Sequence, residues 1–234
     1  MAEKVFTFWE GKMPAYIKLC LKTWKFDYVI LSYETLSKYT DLKVTDRLKQ
    51  FSLPKIADVV RVHVLRDNGG YWLDADTIMI TNRLRTENMI GYPETRGNTI
   101  GFLHTEPHSD MYNEWAKFQD ERLEIPLYNE HSTSWDFFGN CFTDAYVKKH
   151  PEITIADVTN CWPETYMFSD ERPRHIRYVD LYFNRMFGLK DFYPTNMLML
   201  HNSWTPDWYK NLSEEYILST HCCTLSNILR EVLN

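Results

Sequence analysis

Apolar and polar positions alternate along this chain in short blocks that change period. Val5 to Trp9 (VFTFW) is a β-prone apolar run stopped by Glu10-Gly11, and Pro14 opens a helical stretch that reaches Trp24. Tyr28 to Ser32 reads as a second strand, and a polar helical stretch follows from Glu34 to about Tyr39. Strand, helix, strand, helix is the α/β rhythm, in which ligands gather at the carboxyl ends of strands. Leu36 to Phe51 is mixed and carries no clear period. From Ile56 the apolar side chains fall at 56, 59, 60 and 64, which fits 3.6 residues per turn and not alternation. Pro54 suits a first helical turn, and Gly69-Gly70 supplies the stop.

Further on, Tyr71 to Leu73 is a short strand, Ile78 to Ile80 could continue it, and Asn98 to Leu103 is another strand. His108 to Arg122 carries Met111, Trp115 and Phe118 at spacings of four and three, which predicts a helix whose aromatics belong to the core. Trp135 to His150 reads as a loop entering a helix, with Asp136 and Asn140 either capping it or touching a sugar. The prolines and charges between Cys161 and Tyr178 predict an exposed loop. Met197 to Leu200 is a late strand that delivers His201-Asn202-Ser203-Trp204, and Leu225, Ile228, Leu229 and Val232 form the apolar stripe of a core-capping helix.

Chemistry concentrates after the helix at 56. Asp74 and Asp76 flank one residue at the end of a strand, where i and i+2 share a face. Two carboxylates held together repel unless a cation lies between them or one is protonated. A hard divalent ion, Mg²⁺ or Mn²⁺, with a nucleotide diphosphate in its remaining positions, is the natural neutraliser. Asp58 and Arg61 share a face of the preceding helix and can aim an acceptor and a fork of donors at one pocket. Taken singly these are bland: a lone D-x-D is a common acidic turn, and an i,i+3 pair is usually a surface ion pair. The string D-x-x-R, twelve residues, then D-x-D after an apolar strand is far more specific.

That string resembles the D-x-D region of sugar-nucleotide glycosyltransferases: glycosyltransferase family 32, the bacterial capsular polysaccharide synthesis transferases, and the catalytic domain of the large clostridial glucosylating toxins. Their pattern of A-D-x-x-R, a helix ending in G-G, an aromatic residue and L-D-x-D is matched by Ala57-Asp58-Val59-Val60-Arg61, Gly69-Gly70 and Tyr71-Trp72-Leu73-Asp74-Ala75-Asp76. The resemblance covers residues 5–80 and 197–204 well and is faint between. It implies an α/β, GT-A-like single domain with a Rossmann-like mixed sheet flanked by helices. Its nucleotide-sugar part would span about 1–105 and its acceptor side about 106–234. It also implies roles: Trp9 stacks on uracil, Asp76 and His201 bind Mn²⁺ or Mg²⁺ with Asp74 assisting, Asp58, Arg61 and Asp74 hold the sugar, and Ser203 and Trp204 meet the diphosphate. A UDP-hexose donor, glucose or galactose, would be transferred with retention to a saccharide acceptor, by family association a lipid-linked oligosaccharide.

Composition narrows the field. The 234 residues, 44% hydrophobic and 15% aromatic, make one globular domain of good size and argue against disorder. A net charge of −6 disfavours broad binding to nucleic acid. No apolar run approaches the roughly 20 residues a membrane helix needs, and no signal peptide opens the chain, so any membrane association is expected to be peripheral. The five cysteines lack a C-x-x-C pair, which fits free thiols in a reducing cytoplasm. Two rival classes stay open: a phosphohydrolase with Asp74 as nucleophile and Asp76 as acid/base, and a non-catalytic sugar-binding protein.

Overall fold

The computed structural model describes residues 3–126 and 134–234. In chain order the elements are β1 (Val5–Phe8), α1 (Ala15–Lys22), β2 (Tyr28–Leu31), α2 (Leu53–Asn68), β3 (Gly70–Leu73), β4 (Thr77–Met79), β5 (Met89–Tyr92), β6 (Gly97–Thr105), α3 (Asp110–Leu123), α4 (Asn140–Lys149), β7 (Ile155–Asp157), α5 (Arg174–Phe183), β8 (Met197–Met199), α6 (Asp207–Lys210), α7 (Glu214–Ser219) and α8 (Thr224–Leu233). The chain divides into two compact units that interleave in sequence. The first comprises Met1–Gly11, Asp27–Asp74 and Arg85–Asp157, and the second Lys12–Phe26, Ala75–Leu84 and Val158–Asn234.

Unit 1 is a mixed α/β layer, as the rhythm of the sequence predicts. Among its described residues six strands form one sheet in the order β2-β1-β3-β6-β5-β7. β1 pairs in parallel with β2 and β3, whereas β6 runs antiparallel to both β3 and β5. Helix α2 is buried almost all round, with Ile56, Val59, Val60, Val62, Val64 and Leu65 in the core beside Phe6, Trp72, Leu103 and Trp115. A helix so enclosed can carry charge only where partners wait for it, and Asp58 and Arg61 lie on it. Gly69 ends it at φ 62°, its N–H bonded to Leu65 O at 2.8 Å, and a Cβ there would sit 2.6 Å from Pro107. Gly70 (φ 85°) lets the backbone approach Lys4, whose carbonyl takes the Tyr71 N–H at 2.8 Å. Both glycines are therefore steric requirements of the turn into β3.

Unit 2 is built on a two-stranded antiparallel ribbon of β4 and β8, with α1 packed on β4 and α8 contacting both α5 and α7. The α8 stripe behaves as its pattern predicts, with Leu225, Ile228 and Leu229 fully buried. Two expectations need correction. The helical stretch after Glu34 shrinks to a single 3₁₀ turn, Leu36–Lys38, and the exposed loop expected over 161–178 is confined to 169–173. Cys161, Trp162, Pro163 and Glu164 are buried in two 3₁₀ turns, and α5 begins at Arg174 behind Pro173. Glu164 tolerates burial because Arg174 neutralises it, a pairing that composition could not disclose. All five cysteines are free thiols. Among the described residues no helix is long and apolar enough to cross a membrane.

Candidate functional site

In unit 1, Arg61 is the hub. Its Nη2 lies 3.0 Å from Asp58 Oδ1 and 3.3 Å from Asp74 Oδ1, while Nη1 donates to Ile100 O and Nε to Ala57 O at 3.3 Å. The guanidinium also lies over the Trp72 ring, 5.0 Å from its centroid, and the Trp72 indole N–H donates to Asp74 Oδ1 at 2.9 Å. Arg61 is thus fixed on every side, and it fixes both carboxylates in turn. The pair predicted from the helix face is real, but it is buried and not a surface ion pair. The side chains of Asp58 and Arg61 are 12% and 5% exposed, whereas that of Asp74 is 36% exposed and is the one that can meet a ligand. Gly139, before α4, comes so close to Asp58 that a Cβ would stand 3.5 Å from its Oδ2.

Burial pushes the Asp58 carboxyl up to about 7, with Arg61 opposing the rise and Asp74 adding to it. The unfolded carboxyl titrates near 3.8, so between these values the folded protein keeps a proton that the unfolded chain has released. The stability this confers is complete below the unfolded value and is lost as the pH rises through 7. Asp58→Asn cannot ionise and still offers an oxygen to Arg61, so its Tm is expected to vary less with pH across that window. A wild-type slope in the variant would assign the titration to another group.

In unit 2, the antiparallel pairing of β4 with β8 brings the residue before one strand against the residues after the other. Leu200 N donates to Asp76 O at 3.1 Å, and Asn202 N donates to Asp76 Oδ2 at 2.8 Å. Tyr16 is fully buried and donates to Asn202 Oδ1. Burial, with Asp76 nearby, raises its phenol well above the ordinary range. The strand β3 ends at Leu73, and Ala75-Asp76 form a turn, so the same-face rule for strands does not govern the two aspartates. The motif is where the chain passes from one unit to the other, between Asp74 and Ala75.

His201 follows β8 and is neutral, its imidazole lowered to about 3 by burial and by Arg174. Nη2 of Arg174 donates to His201 Nε2 at 3.0 Å, so the ring proton resides on Nδ1. Trp204 lies against the ring with centroids 4.0 Å apart, and Ser203 is exposed in the 3₁₀ turn Asn202–Trp204. Trp9 is half-buried beyond β1. Its backbone N–H bonds Leu31 O at 3.0 Å, and its indole N–H is buried without a hydrogen-bond partner among the described residues. Asn140 neither caps α4 nor stands open: its amide donates to Asn98 O at 2.8 Å, and the cap position is Gly139.

Several residues at these clusters carried no sequence signal. Tyr16 and Glu164 lie in stretches with no motif, Trp72 and Asn202 stand inside motifs without a role of their own, and Arg174 reads as a loop charge. Among the described residues no three His, Cys, Asp or Glu side chains converge as a ready-made metal cage. Asp76 offers a held carboxylate, and His201 a neutral ring whose Nε2 lone pair is engaged by Arg174.

A family model described as "Capsular polysaccharide synthesis protein" matches residues 1–188, which include the whole Asp58–Asp76 string and end before His201. No curated protein matches the chain. Among solved structures, one described as "PaToxG Glycosyltransferase" is similar at 16% identity, over 64% of this chain and 69% of that one, with a TM-score of 0.43. That likeness is too distant to carry an argument.

Proposed function

We propose a glycosyltransferase activity from a plain premise: this chain belongs to the capsular polysaccharide synthesis proteins, whose family model covers residues 1–188. The donor is a UDP-hexose, glucose or galactose, and the acceptor a saccharide, in this reading a lipid-linked oligosaccharide reached at the cytoplasmic face of the membrane. One observation carries the reading. Arg61, almost wholly buried, holds Asp58 and a partly exposed Asp74 at the position of the D-x-x-R and D-x-D string. Carboxylates locked by a guanidinium are acceptors for sugar hydroxyls that cost little to organise when the sugar arrives. Trp9 offers an aromatic face for uracil, and Ser203 and Trp204 donate to the diphosphate.

Asp76 would hold Mn²⁺ or Mg²⁺, joined by His201 once the Arg174 N–H moves off Nε2. The ion, when bound, offsets the charge that gathers on the departing UDP. The sugar's anomeric carbon loses its bond to the phosphate oxygen and gains one to the acceptor hydroxyl oxygen. The hydroxyl proton passes to the departing phosphate. Neither Asp58 nor Asp74 is needed as a nucleophile in this scheme of front-face displacement with retention.

The test is release of UDP from a panel of UDP-sugars with Mn²⁺, Mg²⁺ or EDTA. Slow hydrolysis of one donor, suppressed by EDTA, is expected. No release from any donor, and no rise in Tm with UDP, would sink the assignment. Phosphate release from simple phosphate esters would favour Asp74 as a phosphohydrolase nucleophile.

A further inference from the structure

We propose that Arg174 is an anion-binding residue of unit 2, which takes the nucleotide's diphosphate on the outer edge of its guanidinium. The identity of the anion rests on the donor reading above; the anion site itself does not. Arg174 opens α5, in a region whose composition suggested only loop charge.

Its inner edge is fully committed. Nε and Nη2 both donate to Oε1 of the fully buried Glu164, at 3.0 and 2.8 Å, and Nη2 also donates to His201 Nε2 at 3.0 Å. The guanidinium carbon lies 4.0 Å from the Trp162 ring centroid and 5.7 Å from that of Trp204. A planar cation that lies over the Trp162 ring and is gripped by a buried carboxylate through two N–H bonds keeps its place even when the single bond to His201 is given up. Its outer edge is uncommitted. Nη1 makes no hydrogen bond among the described residues, and the side chain is 30% exposed.

An arginine that serves only to neutralise a carboxylate usually pairs fork to fork, with two parallel bonds to both oxygens. Here both donors converge on Oε1, and Glu164 Oε2 is buried without a hydrogen-bond partner. The pair with Glu164 uses only Nε and Nη2, so Nη1 is left for another partner. Glu164 also lies in the field of Arg177, so one carboxylate faces two guanidiniums. Two N–H donors on a fixed cation, beside Trp204 and His201, fit phosphate oxygens.

The test is titration calorimetry in EDTA with pyrophosphate, UDP and uridine against wild type, Arg174→Lys and the double variant Glu164→Gln/Arg174→Gln. The double variant removes both charges together, so no uncompensated carboxylate is left buried. It is expected to bind pyrophosphate and UDP at least about tenfold more weakly, with uridine unchanged. The lysine variant should fall between, keeping the charge without the fork. Unchanged pyrophosphate and UDP affinity, or a parallel loss of uridine that marks a structural defect, would overturn the proposal. If pyrophosphate binds through Arg174 while no uridine compound binds, Arg174 stands and the uridine donor falls. If UDP binds wild type and variants alike, the donor stands and Arg174 falls.

Discussion

Above pH 7, where Asp58 is ionised, Arg61→Met is expected to cost about 3–5 kcal/mol of stability, the range for stripping one partner from a buried charge pair. In Tm this is a fall on the order of 10 °C for a chain of this size. Methionine fills similar volume, so the loss is not chiefly one of packing. It comes from the carboxylates left behind: Asp58, 12% exposed, would keep no cation at bonding distance, and the Ile100 and Ala57 carbonyls would lose their donors. Arg61→Lys should restore part of the stability but not the geometry, since an ammonium cannot reach Asp58, Asp74 and Ile100 O at once. The decisive companion is the triple variant Asp58→Asn/Arg61→Met/Asp74→Asn. With no charge left to strand, it should recover most of the lost Tm while remaining inactive. An Arg61→Met protein that melts within about 2 °C of wild type would show that the cluster is far better hydrated than its burial implies.

The parts of this molecule that a reader of the sequence can see are those fixed by short-range rules. Helix α2 announces itself because its apolar positions recur at helical spacing between a first-turn proline and two glycines. The ends of β1, β2 and β3 are marked by glycine or by a change of period. Strands β5 and β7 are not legible because neither is an apolar run like the equally short β1 and β8: Gly91 interrupts the first and Asp157 ends the second. They exist because β6 and β5 offer them an edge, which is tertiary information.

The candidate site divides in the same way. Asp58 with Arg61 is legible as an i,i+3 pair. That the arginine also reaches Ile100 O and stacks on Trp72 depends on strands brought in from elsewhere in the chain. Asp76 and His201 stand out only as motif residues, and nothing local says that Asn202 N–H would cap the aspartate. The exposed-loop expectation around Glu164 failed for the same physical reason. A charged residue reads as solvated until its partner is known, and the partner lies ten residues on, at the start of a helix.

Asp76→Asn should separate chemistry from folding more cleanly than any other substitution. The backbone around Asp76 is held by the β4–β8 ribbon and by Leu200 N–H on its carbonyl, neither of which the side chain controls. An asparagine oxygen can still accept the Asn202 N–H that Oδ2 now takes at 2.8 Å. The fold should therefore persist, with Tm within about 2 °C of wild type. What disappears is the negative charge, which in the proposed function anchors a divalent ion opposite the leaving diphosphate. UDP release is expected to drop by about 10²–10³-fold or more, the scale on which removing one preorganised electrostatic partner acts. Affinity for UDP measured with Mn²⁺ should fall to the value the wild type shows in EDTA, while uridine binding stays level. An Asp76→Asn protein that keeps half its activity, or still binds UDP more tightly when Mn²⁺ is added, would remove Asp76 from the metal site. The charge on the diphosphate would then have to be met by arginine alone.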